Sequence, residues 1–459
     1  MKFIERGVGM TILFMTLILS LTIFILIIIG RREDEGLFSP VIISLGLIFL
    51  TNVPYMISIA LDYDILNDQI KFVISQSEIG MAITKYTIVL IIGIISMLIG
   101  MRTRESRVFG HLIPSKLLNE NEARYSLSMI FAFLIGIIGY IIFFNSVGGI
   151  KVWLSMLSQR AEFTTGNGYL TSLMGFTQIA TYIYICTFKY KNNKLKKIIL
   201  TILIIAVAIL SSTLGGRKDT LLFLVFCFLI WNFAVKPIKK IPVGSLILLP
   251  IILIYIVAVP LLRAPDGIQK YSENPSLLIE SIGDNLNTTT KQISYIDHQL
   301  FIMDYFTLDK LWLGKSYLDL LYAPIPRSVY NEKPPIDDGT YIRTLAQGKE
   351  VSPPTAYDEL YQSSWPPETF GAMYMNFSVI GVAIGMFILG FIYNAAYNYM
   401  VKSNYSLFSI LIYGNIILNF HLSNLRIVQT ISELFLIYLF LSVFFVGSRN
   451  KKNVKLVLR

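Results

Sequence analysis

Two adjacent cations stand in a short gap between apolar runs, in "Leu210-Ser-Ser-Thr-Leu-Gly-Gly-Arg-Lys-Asp-Thr-Leu-Leu-Phe-Leu224". Gly215 and Gly216 suit the end of one helix in a left-handed cap, and Asp219 suits the first turn of the next. Arg217 and Lys218 do not, because a helix N-terminus already carries partial positive charge. Two readings follow. Both side chains reach lipid headgroups while their stems stay in the apolar layer, or Arg217 and the free backbone N–H groups of the second helix form an anion site. Further arginines keep the second reading open. Arg160 stands in "Ser158-Gln-Arg-Ala-Glu-Phe163", Arg263 in "Pro260-Leu-Leu-Arg-Ala-Pro265", and Arg426 opens the last apolar run, while Arg327 and Arg343 lie in a long polar segment. A guanidinium fork binds phosphate oxygens two at a time, which a lysine does not. Several such groups at one membrane surface suit a polyanion, and a lipid-linked diphosphate is the obvious candidate.

The elements that must position these residues are membrane helices. Hydrophobic residues make up 54% of the 459-residue chain and charged residues 15%, against about 25% charged in soluble domains. Apolar runs of the length that crosses a hydrocarbon core predict eleven spans, with a range of ten to twelve: about 8–29, 38–61, 79–101, 125–147, 169–188, 196–214, 218–235, 243–262, 370–397, 405–421 and 426–447. The first run continues to Ile29 without a small-residue cleavage site, so it reads as an anchor. The fold class expected is an all-α polytopic membrane protein.

Loop charge sets the orientation. Arg31–Arg32, the segment from Arg102 to Arg124, Lys189–Lys197, Lys236–Lys240, Lys402 and the tail from Arg449 to Arg459 fall on one side. That side is expected to be cytoplasmic, with the N-terminus outside and the C-terminus inside. The net charge of +10 then needs no nucleic acid, because anionic lipid of the bilayer is partner enough. Cys186 and Cys227 fall inside expected spans and carry no metal spacing.

The chain divides into a membrane part at 1–262, a large outer segment at 263–369, a second membrane part at 370–448 and a basic tail at 449–459. A segment as long as 263–369 is functional more often than structureless. It holds Trp312, Trp365 and apolar-periodic stretches such as Ile293–Phe306 that read as short helices. Its prolines, in "Ala323-Pro-Ile-Pro-Arg-Ser-Val-Tyr-Asn-Glu-Lys-Pro-Pro335" and "Trp365-Pro-Pro367", restrict the backbone and predict a defined shape.

Three stretches in order carry a family resemblance: "Leu214-Gly-Gly-Arg-Lys" between two spans, "Pro324-Ile-Pro-Arg-Ser-Val-Tyr-Asn-Glu-Lys-Pro334" in the outer segment, and the run from Phe370 to Gly390 after it. Over about 125–447 the chain resembles bacterial oligosaccharide repeat-unit polymerases, the Wzy-type enzymes of O-antigen and capsule. The resemblance implies the architecture of multi-spanning glycosyltransferases that use polyprenyl-linked donors (GT-C-like). It implies transfer of a growing glycan from undecaprenyl diphosphate to the next lipid-linked repeat unit, at the outer face of the bacterial cytoplasmic membrane. It implies Arg217 and Arg327 as diphosphate ligands, with Arg160 and Arg263 as further candidates, no cofactor, and a chain-length regulator and a flippase as neighbours; Arg343 and Arg426 join the candidates by position alone. The chain departs from the family pattern at Ala372, where Glu is frequent, and at Ser378, where Gly is usual.

A diphosphate is a good leaving group, so such a reaction needs charge neutralisation and positioning more than strong acid help. The acceptor hydroxyl calls for a general base, and Glu368, Asp358, Glu359 and His298 are the candidates in the outer segment. His298 reads equally as a packed loop histidine; His421 and His111 carry less signal. Asp337–Asp338 and Asp358–Glu359 are solvated acids or a cation site, and no divalent spacing favours a metal. Trp312, Trp365, Tyr357 and Tyr361 suit sugar stacking or a packed subdomain. Two other classes stay open: an O-antigen-ligase-type or other polyprenyl-linked glycosyltransferase, and a lipid-linked oligosaccharide flippase or transporter, which should show charges or broken helices near the midplane.

Overall fold

The structure, a computed structural model, describes residues 2–31, 36–112, 121–160, 168–190, 193–214, 216–238, 248–327 and 329–445. The basic tail at 449–459 and Gly215 lie outside the described residues. Those residues are helical, with no strand among them. The principal helices are α1 (Lys2–Gly30), α2 (Pro40–Leu61), α3 (Ile79–Arg102), α4 (Glu122–Ser146), α5 (Gly168–Met174), α6 (Phe176–Cys186), α7 (Lys194–Thr213), α8 (Arg217–Ile230) and α9 (Leu248–Arg263). They continue with α10 (Gly267–Glu273), α11 (Pro275–Ile293), α12 (Ile296–Tyr305), α13 (Lys315–Leu318), α14 (Asp338–Ala346), α15 (Glu368–Lys402), α16 (Leu407–Asn419) and α17 (Asn424–Phe445).

Eight of the described helices are long and apolar enough to cross a membrane: α1 to α4, α7, α8 with its π-helical continuation to Val235, α15 and α17. This corrects the expectation of eleven continuous spans. The run expected at 169–188 breaks into α5 and α6 at Gly175. The run at 405–421 forms the 13-residue α16, and α9 bends by 113° into α10. Hydropathy counts apolar residues and is blind to whether their helix is continuous. The helix expected at 370–397 is instead 35 residues long and is interrupted where Phe377 (φ −140°) and Ser378 (φ 56°, ψ −151°) leave helical geometry. Ser378 thus holds a conformation that glycine adopts freely and other residues avoid.

α3 and α15 form the tightest helix pair. A Cβ at Gly100 would collide with the Phe387 carbonyl, and one at Gly390 with the Met97 carbonyl, so these glycines let the two backbones touch, the usual device where hydrocarbon surrounds both helices. The loops sort to two ends. At one end Lys196 pairs with Glu122 at 3.0 Å and Lys402 bonds the His111 carbonyl. At the other, Tyr55 and the Asn67 N–H donate to Asp297 at 2.7 and 3.1 Å, and burial raises the Asp297 carboxyl.

The outer segment packs as expected. Trp312, buried, meets Phe306 and Tyr341 edge-on with ring centroids 5.0 and 5.7 Å apart. Its backbone N–H donates to Met375 O at 3.1 Å, and the Leu313 N–H to Asn376 O at 3.1 Å. The interruption of α15 therefore feeds its carbonyls to the outer segment, and the first turns of α15, Glu368 to Asn376, are buried throughout.

Candidate functional site

Several helix starts and ends, among them the starts of α8 and α17 and the ends of α7 and α16, meet around one cavity. α8 begins at Arg217 with Gly216 as its N-cap. Asp219 folds its carboxylate back so far that a Cβ at Gly216 would meet Asp219 Oδ2 at 2.9 Å and Arg160 Nη1 at 3.4 Å. Gly216 is thus where a guanidinium and a carboxylate approach a helix N-terminus together. Arg160 also donates to Leu214 O at 3.4 Å. Burial lowers the Arg160 pKa, as does neighbouring Arg263, while Asp219 opposes the shift.

A cavity of about 700 Å³ opens between α5, α6, α8, α16 and α17. Arg160, Lys218 and Arg426 supply its cations, and Asp219 and Glu433 its acids. Gln178, Ser211, Asn415 and Gln429 add polar groups, and Leu222, Phe223, Phe226, Leu411, Leu436 and Ile437 an apolar wall. Glu433 accepts from Asn415 Nδ2 at 2.9 Å. It lies seven residues after Arg426, about two turns along the same face of α17.

Arg426 links this cavity to a second group. Its Nη2 lies 3.7 Å from Glu368 Oε1, and His421 Nε2 lies 2.8 Å from Glu368 Oε2. The other ring nitrogen of His421 is 3.4 Å from Thr369 Oγ1, so both nitrogens are engaged and the ring is held in one orientation. The Tyr295 hydroxyl stands beside Glu368 and Arg426, and burial raises its pKa. Glu368 is buried and takes φ 52°, a conformation that costs a residue with a Cβ.

The turn that bears His421 and Arg426 is clamped by the outer segment. Tyr317 OH donates to Leu422 O at 2.7 Å, and Asn424 Nδ2 donates to Ser316 O at 2.6 Å. The N–H of Leu422 reaches Thr369 Oγ1 at 2.9 Å, and that of Asn424 reaches Asp338 Oδ2 at 2.9 Å.

Arg160 and Arg426 both line the cavity, and Arg263 lies near enough to repel Arg160 and Arg217. Arg217 itself turns away. α9 contains Pro260, which has no N–H to give the Ile256 carbonyl four residues back. Arg217 Nη1 donates to that carbonyl at 3.1 Å, and its guanidinium also bonds the side chain and backbone carbonyl (2.9 Å) of Gln292. The resemblance implies Arg217 as the ligand; Lys218, about 100° round the helix, is the one that lines the cavity.

The remaining candidates sit apart. Arg327 is exposed and stacks on Tyr357, 3.8 Å from the ring centre, so the expectation of a shared site with Arg217 and Arg263 is not met. Arg343 lies over Tyr361 and Trp365 at 5.2 and 5.0 Å. His298 stacks on Trp365 with centroids 4.9 Å apart, and burial pushes it down to about 4. It is a packed, neutral histidine outside the lining of the cavity. Asp358 and Glu359 are exposed on a turn. Asp337 caps α14 through the Gly339 N–H at 2.9 Å. Among the described residues no group of three or more His, Cys, Asp and Glu is arranged for a metal.

Sequence reasoning missed Glu433, Asp219 as a cavity group, and His421. A carboxylate inside an apolar run is itself a signal of a water-filled site, so Glu433 was findable. The pairing of His421 with Glu368 depends on how the bundle closes and leaves no local trace. The chain matches no family model, no curated protein and no solved structure.

Proposed function

We propose that the protein moves a glycan from a polyprenyl diphosphate to the free end of the next lipid-linked repeat unit, at the outer face of a bacterial cytoplasmic membrane. The observation that carries this reading is the cavity that joins Arg160, Lys218 and Arg426 at the helix ends to an apolar wall on α8, α16 and α17. Such a cavity matches a ligand with an anionic head and a hydrocarbon tail. The resemblance to repeat-unit polymerases supports the same substrate class, and the glycine-like backbone of Ser378 fits the family position it occupies. Loop charge supports a cytoplasmic C-terminus.

In this reaction the bond between the anomeric carbon and the diphosphate oxygen breaks, and a bond to the acceptor hydroxyl oxygen forms. The three cations hold the charge that grows on the leaving diphosphate, and being fixed in a part-dry site they need little reorganisation. The acceptor proton passes to Glu368, which Arg426 joins to the cavity.

The test is Lys218→Ala and Arg160→Ala in cells that make the polymer. Each should collapse the glycan ladder to single repeat units on the carrier, with transfer reduced roughly 10²-fold or more and the protein still accumulating in the membrane. A full ladder from both variants would refute the cavity as the diphosphate site. One observation favours a second reading, export of lipid-linked oligosaccharide. Glu433 and Asn415 stand inside the bundle, where transporters keep polar groups. Loss of all carrier-linked glycan from the outer leaflet in the Lys218→Ala strain would support export, whereas single units retained there support polymerisation.

A further inference from the structure

Residues 313–321 are built inside out for a segment bathed in water. Ser316 and Asp319 are buried, at 0% and 1% exposure, while Leu313, Leu318 and Leu321 are 72%, 55% and 73% exposed. The inversion is regular. α13 runs directly into a 3-10 turn at Asp319–Tyr322, in which residues three apart share a face. Ser316 and Asp319 therefore point one way, and Leu318 and Leu321 the other. The inward polar groups are held: Ser316 Oγ accepts from Asn376 Nδ2 at 2.9 Å, and Asp319 Oδ2 accepts from Tyr341 OH at 3.0 Å.

The exposed leucines continue a surface that already faces lipid. The Leu313 N–H bonds Asn376 O, and the Gly314 N–H bonds Asn376 Oδ1 at 3.0 Å. The next residues of α15 on its outward side are Phe377 and Ile380, 41% and 73% exposed, and Ile380 belongs to the apolar length of a spanning helix. On the other flank, the 3-10 turn packs against the start of α17, whose Ile431 and Phe435 are exposed in turn. The leucines thus fill the rim between two lipid-facing helices. Lys310 and Lys315, both exposed, flank them as basic residues do at an anionic headgroup layer.

We infer that residues 313–321 form a membrane-surface anchor, with Leu313, Leu318 and Leu321 inserted at the boundary between headgroups and hydrocarbon of the outer leaflet. The inference is independent of the transferase reading. It also has a consequence for the turn at 420–426. Ser316 and Tyr317, on the inner side of the anchor, are two of the groups that clamp that turn. Lipid contact on one side of α13 therefore helps to fix His421 and Arg426 on the other.

Nitroxide labels at Leu313→Cys, Leu318→Cys and Leu321→Cys, each in the full chain, test this in vesicles of phosphatidylethanolamine and phosphatidylglycerol. Cys186 and Cys227 are buried, and the unsubstituted chain serves as the labelling blank. Glu359→Cys, on an exposed turn, is the water-facing control. The expected result is greater accessibility to oxygen than to a water-soluble nickel chelate at the three leucine positions, and the reverse at 359. Greater nickel accessibility at all three leucine positions would overturn the anchor. So would low accessibility to both reagents, which would mean that a protein surface and not lipid covers the leucines. Each label is read at its own site, so misfolding of one variant leaves the other two informative.

Discussion

The cavity and the outer segment both carry arginines at the same end of the molecule, and they use them differently. Around the cavity, Arg160 and Arg426 project from helix ends and keep part of their guanidinium toward open volume. In the outer segment, Arg327 and Arg343 lie on aromatic rings. A helix end meeting other helix ends leaves a gap that charged side chains must fill, and a ligand can replace the water there. A compact loop rich in Tyr and Trp offers ring faces instead, and a guanidinium settles on them. Arginine content alone therefore says little about ligand binding, and the surroundings decide.

The sharpest way to break the comparison is Arg426→Ala. It removes a cavity cation and one partner of buried Glu368, leaving His421 and Tyr295. Transfer should be lost and the protein destabilised. The cost should fall near the low end of the roughly 3–5 kcal/mol seen when a buried ion pair is broken, because Arg426 retains 19% exposure and His421 remains. Glycan ladders and thermal unfolding in detergent read the two effects separately. Arg426→Lys should recover most of the stability and little of the transfer, since a single ammonium cannot bridge Glu368 and a diphosphate as a fork does.

Arg217 is expected to behave like the outer-segment arginines although it stands beside the cavity. Arg217→Ala strips the donor from the Ile256 carbonyl, at about 1–3 kcal/mol for an unsatisfied buried acceptor. Pro260→Ala restores the N–H that this carbonyl lacks. In that background Arg217→Ala should cost less, and the difference is the coupling between the two sites. Additive losses in a thermal-unfolding cycle would show that Arg217 does not act through Pro260.

This pair shows what was legible in the residues and what was not. The apolar runs announced membrane helices because twenty such residues have few other uses. Charges at the ends of 196–214 and 218–235 announced a polar cluster on one side. Which of Arg217 and Lys218 would face it depended on the phase of α8, and a proline 43 positions away by numbering (260 − 217) helps to set that phase. The broken runs at 169–188 and 405–421 failed as predicted spans for a related reason. A chain segment with enough apolar residues can still be divided, as at Gly175, or give a helix of only 13 residues, as α16 does. The turn at 420–426 is held by side chains from three distant segments, and no window along the chain contains them together.

His298 tests the boundary of the outer segment from the side of pH. Burial against Trp365 depresses it to about 4 from an ordinary value near 6.5. The folded chain thus takes up this proton less readily than the unfolded chain. Its contribution is fully present above about pH 6.5 and is lost as pH falls toward 4. His298→Phe keeps a ring for Trp365 and removes the proton. The difference in unfolding temperature between parent and variant should shift over pH 6.5 to 4 in favour of the variant, while transfer at neutral pH is kept. A loss of transfer with unchanged stability would return His298 to the list of bases.

Arg327 should give the smallest effect, and it sharpens the comparison most directly. The family resemblance makes it a diphosphate ligand, whereas its place in the structure makes it a lid on Tyr357. Its residue is exposed, so the stacking is worth about 0.5–1 kcal/mol. Arg327→Ala should lower the unfolding temperature slightly and leave the glycan ladder near its normal length. Tyr357→Ala should do the same, and the double variant should add little to either, because the partner is already gone. If Arg327→Ala instead abolishes transfer while Tyr357→Ala does not, the guanidinium must leave its ring and reach the diphosphate during turnover. The outer segment would then be a moving part of the site, and the distinction between cavity and outer-segment arginines would hold only for the resting protein.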